Sequence, residues 1–133
     1  MSDQLPTSLI RLRLGQEEAH YGGNLVAGAT QLKIVGDLIT ELAMRHDGDE
    51  GLFRAYESVE FLAPLYAGDW IEARGTIVKA GKSSRTCEFE IHKIAVALTD
   101  VSESAAEFLE TPVLTCRAVG TTVVPVQHQR FRH

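Results

Sequence analysis

The sequence predicts an α+β fold in which one long helix is wrapped by a mostly antiparallel, curved sheet of five strands. Between about residues 25 and 44, apolar side chains recur every three or four positions, which is the period of a helix with a wide buried stripe. Elsewhere apolar and polar residues alternate, as they do in half-buried strands. A single striped helix needs a partner, and only the sheet is large enough to cover it.

Five segments show the strand pattern. They are "SLIRLRL", "LFRAYESVEFLAP", "DWIEARGTIVKA", "SRTCEFEIHKIAVAL" and "PVLTCRAVGTTVVPV". The glycine-containing turn "GKS" between the third and the fourth predicts a hairpin. Strict alternation in the second segment predicts one apolar and one polar face, made respectively by Phe53, Ala55, Val59 and Phe61 and by Arg54, Tyr56, Ser58 and Glu60.

With 133 residues the chain is long enough for one core but not for two, so residues 1–133 are predicted to form one domain. Asn24 is the predicted cap of the helix, and the turn chemistry of "RHDGDEG" predicts its end. Residues 98–111 are expected to form a brief helix inserted in a strand connection, because Ser104 and Glu107 have capping-box spacing. Residues 126–133 are expected to be a polar tail. A curved sheet around one central helix is the hotdog fold.

Composition excludes several classes of protein. The net charge of −5 disfavours nucleic acids and anionic membranes as partners. No apolar run is long enough for a membrane span, and the first residues lack the pattern of a secretory signal, so a cytoplasmic protein is expected. Cys87 and Cys116 are expected to be reduced core thiols. The five histidines show no ligand spacing, so no metal site is predicted.

Several separated motifs resemble known enzymes. A glycine-rich turn into the helix, followed by "VEFLAPLYAGD" and "AGKSS", resembles hotdog acyl-CoA enzymes over almost the whole chain. More narrowly, "AHYGGNLVAGA", "GDLITEL", "DGDEGLFRAY", "EFLAPLYAGD" and "CRAVG" resemble the ammonia-lyases that act on 3-aminoacyl-CoA thioesters. The resemblance implies the reversible conversion of L-3-aminobutyryl-CoA to crotonyl-CoA and ammonia, as in lysine fermentation, with β-alanyl-CoA as the alternative substrate. It also implies no cofactor beyond the CoA of the substrate, and a homodimer or a larger homo-oligomer such as a hexamer.

Two other functions stay open, namely an acyl-CoA thioesterase and a module that binds acyl-CoA without turnover. Thioesterases with a similar glycine turn usually have a helix aspartate seven residues after its second glycine. If Gly28 is that glycine, Val35 stands at the position, which puts the hydrolytic role in doubt.

The turn "AHYGGNLVAGA" before the helix is the candidate thioester site. A helix N-terminus offers unpaired N–H groups and a partial positive charge, and glycine lets a ligand approach the backbone. Negative charge builds on the thioester oxygen when the neighbouring carbon loses its proton, so donors at that oxygen are expected to aid catalysis most. The candidate backbone donors are Ala27, Gly28 and Ala29, and Asn24 is a candidate substrate contact. His20 and Tyr21 are candidate catalytic residues, with His20 either a proton carrier or a hydrogen-bond donor to the thioester.

The reaction also needs a base and an acid. Asp37 and Glu41 are four residues apart and therefore neighbours on one helix face, so one is a candidate base and the other a candidate partner of the ammonium group. A solvent-facing polar stripe is the alternative explanation. Glu60 is a third candidate carboxylate, and Tyr56 is a candidate substrate contact, although a dimer contact explains both equally well.

The hairpin segment "KAGKSSR" is basic and is the candidate site for the CoA phosphates. The residues expected to bind them are Lys79, Lys82, Ser84 and Arg85. The alternative is a solvated hairpin tip whose charges protect the sheet edge.

Overall fold

The structure is a computed structural model, and it describes residues 5–133. Residues 1–4 of the predicted domain lie outside the described residues. The strands and the long helix are, in chain order, β1 (Thr7–Arg13), α1 (Gly28–Asp47), β2 (Leu52–Phe61), β3 (Trp70–Ala80), β4 (Ser84–Ala97) and β5 (Ala106–Val123). Short 3-10 turns occupy Gln16–Glu18, Gly22–Asn24 and Val126–His128.

The five strands form one sheet in the order β1-β3-β4-β5-β2, and every neighbouring pair is antiparallel. This confirms the predicted α+β architecture and the predicted β3–β4 hairpin. Although β2 follows α1 directly, it lies at one edge of the sheet beside β5, while β1 forms the other edge. The helix packs on the sheet, chiefly against β3 and β1.

The buried face of α1 follows the predicted helical period. Its buried residues are Gln31, Ile34, Val35, Leu38, Ile39, Leu42, Ala43 and Asp47. Six of these eight side chains are apolar and enter the core between helix and sheet. The two polar ones stand at opposite ends of the helix, and their surroundings differ.

The two ends of α1 test the predicted boundaries. The helix ends as predicted, because Gly48 has a left-handed φ of 69° and its N–H donates to the Met44 carbonyl at 2.9 Å. The cap predicted at Asn24 is wrong, since the N-cap is Ala27 and no side chain caps the helix. Asn24 lies in the preceding 3-10 turn with a φ of 63°.

Strand β2 contains two bulges that change which side chains face the helix. Its register against β5 shifts between Phe53 and Ala55 and again between Tyr56 and Ser58. Because a bulge inserts one residue, it moves the following side chains to the other face. Phe53, Tyr56 and Val59 therefore pack on the core, and the Tyr56 ring centroid lies 4.6 Å from that of Phe53. The predicted placement of Tyr56 on the polar face is wrong, as is that of Ala55 on the apolar face.

Residues 98–111 form a turn and the start of a strand, so the brief helix predicted there is wrong. The Leu98 N–H donates to the Ala105 carbonyl at 2.7 Å and closes the turn. From Ala106 onward the chain pairs with β4, beginning opposite Ala97. Pairing with a neighbouring strand outweighs a local capping signal, because a short helix is only marginally stable without packing.

Both cysteines are unpaired and buried, as predicted. Burial raises the pKa of Cys87 to about 12, with the charge of Arg85 opposing only part of this effect. Burial likewise raises the pKa of Cys116 to about 11. Residues 5–133 contain no helix with the combination of length and hydropathy expected of a membrane span.

Candidate active site

A cleft of about 490 Å³ lies at the N-terminal end of α1. Its walls come from the turn before the helix, the first helical turn and the segment after β2, through Tyr21, Leu25, Val26, Gly28, Gln31 and residues 61–65. This lining is largely apolar, as ligand pockets for acyl groups need to be. A smaller depression of about 320 Å³ on the sheet is lined by four charged side chains, Arg74, Glu88, Glu90 and Arg117, and is unsuited to an acyl chain.

Main-chain hydrogen bonds hold the two sides of the cleft together. The Val26 N–H donates to the Leu65 carbonyl at 2.8 Å, and the Ala67 N–H donates to the Asn24 carbonyl at 2.9 Å. Asn24 therefore supports the cleft through its backbone, while its exposed side chain is not part of the lining. The geometry gives the predicted Asn24 side-chain contact no support within one chain.

The ring of Phe61 covers the first turn of α1 at Gly28. A Cβ on residue 28 would stand 2.9 Å from Phe61 Cζ, which is closer than carbon atoms approach, so a larger residue there would displace the ring. The first N–H groups of an α-helix have no acceptor within the helix and carry partial positive charge. Gly28 thus presents a backbone donor at the cleft wall, whereas Ala27 is buried and Ala29 is exposed beside it.

Two rings precede the helix. The His20 and Tyr21 rings meet edge to face with centroids 5.0 Å apart. Tyr21 lines the cleft, is 55% exposed, and is held by a hydrogen bond from its N–H to the Leu25 carbonyl at 3.1 Å. His20 is exposed and does not line the cleft. Of these two candidates, the structure brings only Tyr21 to the cleft wall of the same chain.

Gln31 is a cleft residue that sequence reasoning missed. It is 4% exposed, and its Oε1 accepts a hydrogen bond of 2.8 Å from the Thr115 hydroxyl on β5. A signal was available, because position 31 belongs to the same helical stripe as Ile34 and Val35. A glutamine in an apolar stripe needs a hydrogen-bonding partner or a ligand.

Within one chain, none of the three candidate carboxylates lines the cleft among the described residues. Asp37 and Glu41 follow Gly28 by nine and thirteen residues, which corresponds to about 14 and 20 Å along the helix axis. Asp37 is exposed, and Glu41 Oε2 lies 2.7 Å from Arg45 Nη2. Glu60 is exposed and also absent from the cleft lining. The catalytic roles of these three carboxylates stay predictions.

The β3–β4 hairpin lies at the opposite end of α1, and Arg85 attaches it there. Arg85 is 1% exposed, and its Nε and Nη2 donate to the two carboxylate oxygens of Asp47, each at 2.9 Å. Its Nη1 donates to the carbonyls of Gly81 at 2.7 Å and Ser84 at 3.0 Å. Arg85 is therefore enclosed, with four of its five N–H donors engaged within the chain, and this burial opposes its predicted contact with a CoA phosphate.

The other hairpin candidates keep their accessibility. Lys79 and Lys82 are exposed, and Ser84 is half-buried. Because α1 has 20 residues, its two ends are about 30 Å apart, so these side chains do not adjoin the cleft of their own chain. Their predicted contact with CoA phosphates stays a prediction.

Asp47 is the centre of a buried polar cluster. His133 Nε2 lies 2.6 Å from its Oδ1, and His46 Nδ1 lies 3.1 Å from its Oδ2. Burial raises the pKa of Asp47, but the hydrogen bonds from Arg85, His133 and His46 outweigh burial and hold the pKa at about 2. The fold thus unites two histidines that are 87 positions apart, and their ligand atoms and that of Asp47 lie within 4.8 Å of one another. The adjacent guanidinium charge of Arg85 opposes a metal cation there.

Comparison with known proteins places the chain in a family. Residues 23–98 match the family model described as Thioesterase superfamily. A protein of Acetoanaerobium sticklandii named 3-aminobutyryl-CoA ammonia lyase is 51% identical over 123 residues, which cover 92% of this chain and 98% of the relative.

Solved structures agree with this relation. The beta-alanyl-CoA:ammonia lyase from Clostridium propionicum has a TM-score of 0.91 and 38% identity, and the match covers 96% of this chain and 91% of that one. A hexameric hotdog fold thioesterase of Campylobacter jejuni has a TM-score of 0.72 at 15% identity, covering 92% and 86% of the two chains, and shows the fold alone. The hotdog fold and the resemblance found in the motifs are both confirmed. The chain therefore belongs to the thioesterase superfamily and, within it, to the family of ammonia lyases that act on CoA thioesters.

Proposed function

We propose that this chain catalyses the reversible elimination of ammonia from L-3-aminobutyryl-CoA, which yields crotonyl-CoA. The observation that carries the proposal is the apolar cleft at the N-terminal end of α1, where Gly28 begins the helix beside Phe61. The 51%-identical relative named for this substrate supports it. β-Alanyl-CoA is the second candidate substrate, supported by the 38%-identical structural neighbour.

The cleft supplies what the elimination needs at the thioester. Removal of a proton from C2 places negative charge on the thioester oxygen, and the C3–N bond then breaks as the amine departs as ammonia. The N–H groups of Gly28 and Ala29, which have no acceptor within the first turn of α1, are the proposed donors to that oxygen. The same charge develops when ammonia adds to C3 of crotonyl-CoA, so the donors accelerate both directions. The proposed chemistry uses no cofactor beyond the CoA of the substrate.

A homo-oligomer is proposed to complete the site. Asp37 and Glu41 lie about 14 and 20 Å along the helix from Gly28, and Glu60 is exposed and outside the cleft lining, so the acid and base are proposed to come from a partner chain. The exposed edge of β2, where Leu52 is 73% exposed, supports pairing between two copies, because an uncovered edge strand readily adds another strand. The solved relative from Campylobacter jejuni is described as hexameric.

The same assembly is proposed to bring the hairpin of a partner to the CoA. Lys79, Lys82 and Ser84 of that hairpin are the proposed phosphate contacts, and Arg85 is excluded because it is enclosed. The two unpaired, buried cysteines support a reducing compartment, and the cytoplasm is the proposed location.

Hydrolysis of acyl-CoA fits the site less well. Val35 occupies the helix position that the resemblance assigns to the hydrolytic aspartate of thioesterases. Its side chain is fully buried in the core, where it has no means of activating water. The elimination needs no activated water, so the same residue does not oppose it.

The direct test is to incubate the protein with crotonyl-CoA and ammonium chloride. The enoyl absorbance is expected to fall without release of free thiol, and not to fall when sodium chloride replaces ammonium chloride. Acryloyl-CoA tested in parallel ranks the two candidate substrates. If neither enoyl-CoA is consumed, the proposal is wrong, and release of free CoA would indicate a hydrolase instead.

A further inference from the structure

The donors proposed for the thioester oxygen do not include Gln31, the most deeply buried polar side chain of the cleft. Gln31 is 4% exposed and lines the cleft, although its helical neighbours on the same stripe, Ile34 and Val35, are apolar. A buried carboxamide lowers stability unless its polar atoms are hydrogen-bonded. The buried carboxamide of Gln31 is therefore a candidate for a role in the reaction.

The carboxamide of Gln31 is tied to β5 by one hydrogen bond. Its Oε1 accepts a hydrogen bond of 2.8 Å from the hydroxyl of Thr115, which is fully buried on β5. The oxygen therefore faces the sheet and the Nε2 faces away from it. Within residues 5–133, Nε2 forms no hydrogen bond and is not among the fully enclosed polar atoms, which leaves it directed at the cleft as a free donor.

The direction of the side chain brings this donor towards the first helical turn. Side chains of an α-helix lean towards its N-terminus, and residues three apart lie on one face. Gln31 follows Gly28 by three residues, so its carboxamide leans over the turn that presents the Gly28 N–H. Because Gly28 has no Cβ, no side chain of residue 28 stands between the two donors.

We propose that Gln31 is a catalytic residue whose Nε2 donates a further hydrogen bond to the thioester oxygen, with Thr115 as its positioning residue. This inference rests on the proposed lyase function. The hydrogen bond from Thr115 to Oε1 polarises the amide and makes its N–H groups stronger donors. Since the negative charge on the oxygen grows towards the transition state, the effect of Gln31 falls mainly on kcat and less on KM.

Gln31→Met tests the proposal with little change of volume. Thr115 keeps an acceptor in this variant, because the Ile91 carbonyl lies 3.1 Å from its hydroxyl, so the core is expected to remain intact. In the addition of ammonia to crotonyl-CoA, kcat is expected to fall about 100-fold, while KM changes less than about threefold. Gln127→Met, which alters an exposed glutamine outside the cleft, is the matched control and is expected to keep wild-type kcat.

Thr115 variants separate positioning from structure. Thr115→Val is expected to lower kcat about tenfold because Gln31 loses its orientation, and Thr115→Ser is expected to retain wild-type activity. Infrared spectra of bound butyryl-CoA labelled with ¹³C at the carbonyl supply a readout that a purely structural role does not move. The carbonyl frequency is expected to shift downward on binding to the wild type and to shift less in Gln31→Met.

The outcomes distinguish this inference from the function on which it rests. The role of Gln31 is falsified if kcat of the Gln31→Met protein lies within twofold of the wild type. It is also ruled out if bound butyryl-CoA has the same carbonyl frequency in this variant as in the wild type. A wild-type protein that fails to consume crotonyl-CoA and ammonium overturns the proposed function instead. In that case the carbonyl frequency still decides whether Gln31 contacts the thioester.

Discussion

The two ends of α1 each carry a polar side chain in the buried stripe, and the protein surrounds them differently. At the C-terminal end, Asp47 receives two hydrogen bonds from Arg85 and lies within 3.1 Å of both His46 and His133. At the N-terminal end, the Gln31 side chain has one hydrogen bond within residues 5–133, to Thr115, and borders a cleft. Buried polar groups with complete hydrogen bonding fix a structure, whereas those left with a free donor are available to a ligand.

Substitutions at the C-terminal end of α1 are expected to reduce stability most. Asp47→Ala leaves the guanidinium of Arg85 enclosed without its counter-charge and is expected to lower the free energy of unfolding by about 3–5 kcal/mol. Urea denaturation measures the loss. Glu41→Ala is the control on the same helix, because the Glu41–Arg45 pair is solvent-exposed and such pairs contribute about 0.3–0.5 kcal/mol. Equal losses in the two variants would contradict the comparison.

At the N-terminal end, the main effect is expected on activity. Gly28→Ala places a Cβ against the Phe61 ring, which has to leave its position at the cleft wall, so kcat/KM for crotonyl-CoA is expected to fall about 100-fold. Gly36→Ala is the matched control, since within residues 5–133 its added Cβ meets no atom within 4 Å other than its chain neighbours and the nearby helix backbone. It is expected to keep full activity and to gain about 0.5–1 kcal/mol of stability. Similar activity in both variants would show that the cleft is not the site.

Acid is expected to weaken the C-terminal end through Asp47. The pKa of Asp47 is about 2 in the folded protein, against 3.8 for an unperturbed aspartate. The folded state therefore binds a proton at this carboxylate less readily than the unfolded state does. The corresponding stability, about 2 kcal/mol, is complete above about pH 4 and is lost as the pH falls towards 2. Urea denaturation between pH 7 and pH 3 measures the onset of this loss. An Asp47→Asn protein with the same acid dependence as the wild type would rule Asp47 out as its source.

Local periodicity was sufficient to predict the elements but not their arrangement. The helical stripe and the alternating strands depend on neighbouring residues, so α1 and β1 to β4 lie where these patterns place them, whereas β5 begins at Ala106, six residues before the predicted segment. The edge position of β2 beside β5 depends on long-range pairing and was not predictable. Tyr56 was assigned to the wrong face because its placement depends on two bulges that alternation does not reveal.

The sequence pattern predicts burial of Arg85 and Gln31, one polar side chain near each end of α1. Arg85 alternates in register with the buried Cys87 and Phe89, and Gln31 shares the stripe of α1, so both patterns place a polar side chain in the core. Their partners are 38 and 84 residues away, at Asp47 and Thr115. Burial was therefore predictable from the period, but whether each group is paired or free required the tertiary structure.

Binding of the thioester at the N-terminal end of α1 is best examined in a crystal structure with butyryl-CoA. This saturated thioester is not expected to react. We expect the thioester oxygen to lie within about 3.2 Å of the Gly28 or Ala29 nitrogen and of Gln31 Nε2, with the acyl chain against Phe61. A butyryl group bound elsewhere, with these donors unengaged, would contradict it.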